Sequence, residues 1–304
     1  MKIGITLPQF GAHVTKENVI WLAKMAEEEH FDSLWVNERL LWPLNPRTPT
    51  NSPDGNLPTY YQSVLDLLET LTFAAANTDK IALGTSVIDM LFHNPVILTR
   101  RFATLDLLSQ GRSICGLGIG WSEDEYIASN IPYEHRAARA DEFVQPLRRI
   151  WTEDVVEFKG KYYDIPASKI GPKPIQRPHI PIYLAGFSSN TFSRVAKYAD
   201  GWLPSADRLD FFEHLTNGIK TLKEQGKREK RDLEIITLTF PFHAGWHKED
   251  GSRRPPFSGT IDDVRDDVRR IKEMGVDHAI LQLTDPDLNR VIDTANSPNN
   301  LLCS

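Results

Sequence analysis

The sequence predicts an α/β fold, a (β/α)8 barrel with long loops at the carboxyl ends of its strands. Eight short apolar runs with strand-like composition alternate with longer stretches whose apolar residues recur at helical spacing. Strands separated by helices run parallel with right-handed crossovers, and eight such units close into a barrel more naturally than they extend an open sheet. Because 304 residues suit one such barrel, we expect residues 1–304 to form a single domain.

The first half of the chain supplies four of these units. Strands are predicted at the apolar runs IGITL, SLWV, IALGTSVI and SICGLGIG, which are residues 3–7, 33–36, 81–88 and 113–120. Helices are predicted over residues 15–30, 64–76, from Pro95 onward, 123–128 and 136–151. Pro95 suits a first helical turn, where its missing amide hydrogen is not needed.

The second half supplies the other four units. Strands are predicted at residues 182–186, 201–204, 233–240 and 278–283, and helices at residues 189–198, 211–224 and 261–273. Residues 155–165 interrupt this order and read as a hairpin with Lys159 and Gly160 at its turn.

Three connections are much longer than the usual two to six residues. They are residues 37–62, 155–181 and 243–259. The first and third leave the carboxyl ends of strands, where barrels of this kind place their active sites. We therefore expect these two loops to form the walls of one pocket.

The segment SICGLGIGWSEDE, residues 113–125, is the most informative in the chain. Glycines at 116, 118 and 120 lack the Cβ atoms that would hold a large flat ligand away from the backbone. The alternative is that they mark tight packing within the protein. A dinucleotide-binding Gly-x-Gly-x-x-Gly motif is excluded because Trp121 stands where it needs glycine.

The composition limits the kinds of partner that the protein is expected to bind. The formal net charge is −6 and the basic residues are dispersed, so nucleic acid is not an expected partner. Cys115 and Cys303 have no spacing typical of a zinc site or a disulfide framework, and no metal is predicted; a reduced cytoplasmic location fits best. No apolar run approaches the roughly 20 residues that span a bilayer.

Four stretches carry a family resemblance that covers essentially the whole chain. They are LWVNERLLWP, IALGTSV followed by NPVILTRRFATLDLLSQGR, LGIGWSEDEY, and PIYLAGFSSNTFSRVAKYADGWLP. With these the chain resembles the bacterial luciferase-like family of flavin and deazaflavin oxidoreductases. The resemblance implies a homodimeric barrel that binds coenzyme F420, a deazaflavin that carries only hydride, or else reduced FMN. The Gly-Trp pair followed by acidic residues is more typical of the F420-dependent branch.

The resemblance also implies a cofactor site. By it, Thr85, Ser86 and Val87 support the deazaflavin ring, with a non-proline cis peptide at Ser86 and Val87. Gly118, Gly120 and Trp121 line one side of the cofactor, and the segment Gly186, Phe187, Ser188 and Ser189 takes phosphate. Small residues before a helix expose backbone N–H groups at its positive end, which independently suits an anion. The alternative is plain N-capping by Ser188 or Ser189.

Proton-transfer candidates lie after strands two and three. The best-known F420 dehydrogenases have Asp-His after strand two, whereas this chain has Glu38 and Arg39. Glu38 is the first candidate for a proton donor, with a surface carboxylate as the alternative. Arg39 is a candidate to hold an anion, or it pairs with Glu38 or solvent. His93 is the other catalytic candidate, with a structural role as its alternative.

We therefore expect an F420-dependent oxidoreductase that transfers a hydride between the deazaflavin and a small organic substrate. Two alternatives remain open. One is an FMN-dependent monooxygenase that uses oxygen and a partner reductase, and the other is a barrel that binds a cofactor without catalysis.

Overall fold

A computed structural model of the chain describes residues 1–50, 57–206, 209–231, 233, 237–244 and 254–283. Its strands, in chain order, are β1 Lys2–Thr6, β2 Ser33–Val36, β3 Ala82–Thr85, β4 Ile88–Asp89, β5 Ser113–Gly118, β6 Val156–Lys159, β7 Asp164–Ser168, β8 Ile182–Ala185, β9 Gly201–Leu203, β10 Thr237–Ala244, β11 Ser258–Gly259 and β12 His278–Leu283.

The strands form the predicted barrel. The parallel order is β10, β12, β1, β2, β3, β5, β8 and β9, and each strand pairs with the next. The two ends of this path, β9 and β10, contact each other and close the ring. Since all eight predicted strands take part in chain order, the predicted barrel is confirmed.

Helices cover the outside of the sheet. They are α1 Lys16–Glu28, α2 Leu67–Ala75, α3 Pro95–Leu108, α4 Glu123–Ala128, α5 Arg136–Phe143, α6 Gln145–Thr152, α7 Ser189–Tyr198, α8 Phe211–Glu229 and α9 Ile261–Glu273. The single helix predicted over residues 136–151 was wrong, because the chain forms two helices there. Pro146, at the start of α6, cannot donate the backbone hydrogen bond that a continuous helix needs.

Strand three is interrupted at the positions where the family resemblance implies a cis peptide. The run 81–88 divides into β3 and β4 around a cis peptide between Ser86 and Val87. The non-proline cis peptide implied by the family resemblance is therefore present at those positions. After this bend β4 pairs with β5, so the chain stays in the sheet.

Trp35 is fully buried and lies against glycines of the neighbouring strands. A Cβ atom on Gly4 would lie 2.5 Å from the indole Nε1 of Trp35, and one on Gly84 would lie 2.4 Å from its Cζ3. The glycines on the neighbouring strands thus leave the space that the indole occupies. The indole N–H donates to Ser33 Oγ at 2.6 Å, and that oxygen lies 2.7 Å from His278 Nε2.

The predicted hairpin is β6 and β7, paired antiparallel. It packs beside α6 and against Val96 at the start of α3. Most of the third long loop, residues 245–253, and Cys303 lie outside the described residues. No helix in the described ranges has the length and apolarity needed to cross a membrane.

Candidate active site at the barrel mouth

Two of the predicted catalytic residues form a pair at the carboxyl end of the barrel. Glu38 follows β2 and His93 follows a short helical turn, Met90–Phe92, after β4. The His93 Nε2 lies 2.8 Å from Glu38 Oε1, and the two side chains are 16% and 7% exposed. The surface alternative for Glu38 is excluded by this burial. A histidine oriented by a carboxylate can exchange a proton near neutral pH.

A third residue, Asp89, completes this contact. Its backbone N–H donates to the other Glu38 oxygen, Oε2, at 2.7 Å. The Asp89 carboxyl is buried, and burial raises its pKa to about 7, helped by the nearby charge of Glu38 and opposed by Arg39. Sequence reasoning missed Asp89. The signal was an acidic residue interrupting the apolar run SVIDML.

Arg39 is held by a partner that the sequence did not suggest. Its Nη1 lies 3.1 Å from Glu125 Oε2, and its guanidinium carbon lies 5.1 Å from the Trp121 ring centroid and 5.7 Å from that of Tyr61. The alternative, in which Arg39 pairs with Glu38 or solvent, was wrong. Cation–π contact and an ion pair fix the guanidinium at the rim of the mouth.

The acidic start of α4 holds the loop that follows β2. Glu125 Oε1 accepts from the Leu40 N–H at 2.8 Å, and Asp124 accepts from the Arg47 N–H at 2.9 Å. Glu125 is almost fully buried, and burial raises its pKa while Arg39 lowers it. The acidic residues after Trp121 therefore have a structural task, the fixing of one wall of the mouth.

The residues around the cis peptide differ in what they offer a ligand. Thr85 is fully buried, and its hydroxyl donates to the Gly116 carbonyl at 2.7 Å while accepting from the Gly116 N–H at 3.0 Å. Thr85 thus joins β3 to β5. Ser86 is also buried, and its Oγ has no hydrogen-bond partner among the described residues. Ser86 is the better placed of the two to bind a ligand.

The glycines of β5 accommodate this bend in the neighbouring strand. A Cβ on Gly116 would lie 1.8 Å from the Thr85 carbonyl oxygen, and one on Gly118 would lie 2.5 Å from Val87 Cγ2. Gly120 has φ +70°, which favours glycine. The tight-packing alternative is therefore confirmed for Gly116 and Gly118, and their contact with a cofactor stays a prediction.

The predicted phosphate segment lies at the end of β8, the neighbour of β5 in the sheet. Ser188 caps α7, because its Oγ accepts from the Thr191 N–H at 3.1 Å. Ser188 and Ser189 are exposed, and Phe187 contacts the Trp202 ring. The N-capping alternative is thus confirmed for Ser188, and it leaves the first amide groups of α7 at an exposed positive helix end.

The predicted site residues therefore come together at one end of the barrel. They lie at or beyond the carboxyl ends of β2, β3, β5 and β8, which are neighbours in the sheet, and His93 follows β4. This arrangement combines a carboxylate-oriented imidazole, a fixed guanidinium, an indole face and a helix amino end. It can bind an elongated anionic aromatic ligand and exchange a proton beside it.

Comparison with known proteins agrees with this geometry. The family model described as luciferase-like monooxygenase matches residues 1–250. The F420-dependent glucose-6-phosphate dehydrogenase of Amycolatopsis mediterranei is 31% identical over 77% of this chain and 67% of its own length. An uncharacterised protein of Mycobacterium tuberculosis is 33% identical over 63% of this chain and 68% of its own length.

Solved structures share the fold. A monooxygenase from Streptomyces bottropensis superposes with a TM-score of 0.77 at 22% identity, covering 94% of this chain and 92% of its own. An F420-dependent secondary alcohol dehydrogenase in complex with an F420-acetone adduct superposes with a TM-score of 0.74 at 19% identity, covering 97% of both chains. At these identities the likeness concerns the fold. With the family match over residues 1–250, the chain belongs to the luciferase-like monooxygenase family, a family of oxidoreductases.

Proposed function

We propose that the protein is an F420-dependent oxidoreductase that transfers a hydride between the deazaflavin and a small organic substrate. The observation that carries this proposal is the buried Glu38–His93 pair at the barrel mouth, 2.8 Å apart. Hydride transfer to or from a carbon–oxygen or carbon–nitrogen bond needs one proton donor or acceptor beside it, and this pair supplies one. The named dehydrogenase relative supports the choice of F420.

The residues present fit such a cofactor. Ser86 Oγ and Asn37 Oδ1 are buried oxygens without a hydrogen-bond partner within the described ranges, and both lie where β2 and β3 end. A ring with polar edges would satisfy them. We assign Ser86 and Val87 to support of the ring, Gly118, Gly120 and Trp121 to one side of the cofactor, and the residues 186–189 to the phosphate.

When bound, F420 supplies or accepts a hydride, that is, two electrons and one hydrogen nucleus, and does not need oxygen. The chain provides the proton. Glu38 Oε1 engages His93 Nε2, which leaves Nδ1 of the same ring as the atom that exchanges a proton with the substrate. Arg39 stays charged and bound to Glu125, so it contributes orientation and electrostatic attraction to an anion.

Parallel titrations with F420 and with FMN test this proposal, with intrinsic tryptophan fluorescence as the readout. We expect F420 to bind at micromolar concentration or better and FMN to bind weakly. A Trp121→Phe variant should lose much of the quenching while retaining affinity within about tenfold, since a phenyl ring preserves part of the contact. The matched control is Trp21→Phe, because Trp21 lies half exposed on α1 away from the mouth.

The opposite preference would contradict the proposal. Tight binding of FMN with little response to F420 would identify an oxygen-using monooxygenase that needs a partner reductase. Tight binding of F420 without turnover of any enone, ketone, alcohol or imine would favour a barrel that binds the cofactor without catalysis.

A further inference from the structure

Among the residues that the structure describes, three buried carboxyl groups meet at the barrel mouth, and fewer cations face them. The carboxyls belong to Glu38, Asp89 and Glu125, and each comes from a different element. Arg39 is a permanent cation bound to Glu125, and His93 is a cation only when protonated. If all three carboxyl groups were ionised, their negative charges would outnumber these positive charges. Such an excess of charge is costly away from water, so one carboxyl group is expected to retain a proton.

The geometry identifies which carboxyl retains it. Both Glu38 oxygens are engaged by donors, Oε1 by His93 at 2.8 Å and Oε2 by the Asp89 N–H at 2.7 Å. Both Glu125 oxygens are also engaged, by Arg39 and by the Leu40 N–H. Two donors thus face each of these carboxyl groups, and a hydrogen-bond donor favours the ionised form of a carboxyl group.

Asp89 is placed differently, inside a space that β5 leaves for it. A Cβ atom on Gly118 would lie 2.9 Å from Asp89 Oδ1, and one on Gly120 would lie 3.4 Å from Asp89 Cγ. A larger residue at position 118 would therefore press on the carboxyl group, whereas one at position 120 would make an ordinary van der Waals contact with it. The charged or titratable groups that act on it are Glu38, Arg39, Glu125 and Tyr126, and the Gly120 N–H is its backbone donor.

We propose that Asp89 is a positioning residue that keeps one exchangeable proton behind the Glu38–His93 pair and so sets the charge with which the pair meets the substrate. The inference rests on the proposed function for its purpose, although its test needs no cofactor. When Asp89 is neutral, Glu38 and Glu125 balance His93 and Arg39. When Asp89 releases its proton, the added negative charge favours retention of the proton on His93.

The burial that raises the pKa of Asp89 to about 7 supports this coupling, because the release then falls in the neutral range. No electrons move, and the proton passes to solvent. The pair consequently meets the substrate with one more negative charge beside it above neutral pH than below it.

The test is a titration of the protein without cofactor, labelled with [4-13C]aspartate, between pH 5 and 9. We expect one aspartate carboxyl resonance to titrate between pH 6 and 8 and to be missing in Asp89→Asn. In Glu38→Gln the same resonance should titrate at lower pH, because a charge that opposes ionisation has been removed. This second variant assigns the resonance even if Asp89→Asn fails to fold.

A second readout reports on His93 itself. Diethyl pyrocarbonate modifies unprotonated imidazole, and peptide mass spectrometry locates the product. At pH 8 we expect His93 to react at least about fivefold more slowly in the unmodified sequence than in Asp89→Asn, with little difference at pH 6. Asp89→Glu should restore part of the difference.

Either of two results would overturn the inference. One is a spectrum in which every aspartate titrates in the ordinary acid range, and the other is an equal pH dependence of His93 modification with and without Asp89. Both leave the cofactor titrations unaffected, so failure of this inference is distinguishable from failure of the proposed function.

Discussion

Arg39 and His93 have different roles in the site, because only one of these two side chains can exchange a proton. A guanidinium stays protonated and can only donate hydrogen bonds, so Arg39 cannot replace an acid–base histidine at its position. Its charge is paired with Glu125, and its guanidinium lies over the rings of Trp121 and Tyr61. His93, paired with Glu38, is the residue whose chemistry suits proton exchange.

We predict that His93→Gln lowers the rate of hydride transfer to a substrate about 10²–10⁴-fold, which is the usual contribution of one acid or base. Affinity for F420 should change little, because the proposed cofactor contacts are made by other residues. The measurement is single-turnover absorbance of the deazaflavin with a substrate found by screening. His135→Asn is the matched control, since His135 is exposed and its positive φ of 58° suits asparagine. An equal loss in both variants would contradict the catalytic assignment.

Sequence reasoning found part of this cluster for a physical reason. Glu38 and His93 follow predicted strands, and strand ends meet at one edge of a parallel sheet, so their proximity could be expected. Asp89 and Glu125 were missed because their roles depend on burial and on contacts between distant segments. Glu125, for example, binds Arg39 across 86 positions of the chain. Spacing along the sequence carries no record of such pairing.

At the scale of elements, α4 acts as a support for the loop after β2. Glu125, Asp124 and Glu123 each contact that loop, but their surroundings differ. The Glu125 contact is buried, whereas the Arg47–Glu123 pair spans 3.5 Å between side chains that are 61% and 39% exposed. A buried charged hydrogen bond contributes more than an exposed ion pair, which solvent screens.

We therefore predict that Glu125→Gln loosens the loop after β2, while Glu123→Gln does not. Loss of the charged partner of Arg39 should cost about 1–3 kcal/mol of local stability. Hydrogen exchange at the Leu40 amide, followed by mass spectrometry, should accelerate accordingly in Glu125→Gln. In Glu123→Gln the same peptide should exchange as in the unmodified protein. Equal protection in both variants would show that α4 does not support the loop.

The elements around β5 show a limit of motif reading. The three glycines predicted a close approach of backbone to a ligand, and the structure shows a close approach to the bent β3–β4 segment at Gly116 and Gly118. Close approach of a ligand and close approach of a neighbouring strand both require glycine, because a Cβ atom would block either one. The sequence alone could not distinguish them. The order of strands and helices was predictable because the apolar residues of each element recur with their own period. The division into α5 and α6 was not predictable in this way, because the break near Pro146 lies within one continuous apolar pattern.

Two of the buried titratable groups, His278 and Asp89, lie near opposite ends of the barrel and have opposite effects on the stability of the whole molecule. His278 lies at the amino end beside Ser33 and Trp35, where burial, assisted by Lys2 and the N-terminal amine, lowers its pKa from 6.5 to about 3. Asp89 lies at the carboxyl end with its pKa raised from 3.8 to about 7.

The sign of each effect follows from which state binds more protons. Between pH 3 and 6.5 the unfolded chain protonates His278 and the folded chain does not, so this group destabilises the fold as the pH falls. Between pH 3.8 and 7 the folded chain keeps the Asp89 proton and the unfolded chain does not, so this group destabilises the fold as the pH rises. Where the windows overlap, each contributes about 1.4 kcal/mol per pH unit, and the two slopes cancel.

Removing either titratable group should therefore reveal the pH dependence that the other contributes to the free energy of unfolding. We predict that Asp89→Asn becomes less stable as the pH falls from 6.5 to 4.5, and that His278→Gln becomes less stable as the pH rises over the same interval, each relative to the unmodified protein. Urea unfolding at pH 4.5, 5.5 and 6.5 measures both slopes, and all other groups are common to the three proteins. Because the groups lie at opposite ends of the barrel, their effects should add, so a double variant should return to the slope of the unmodified protein. Parallel plots of unfolding free energy against pH for the two single variants would show that neither group is buried in the folded protein.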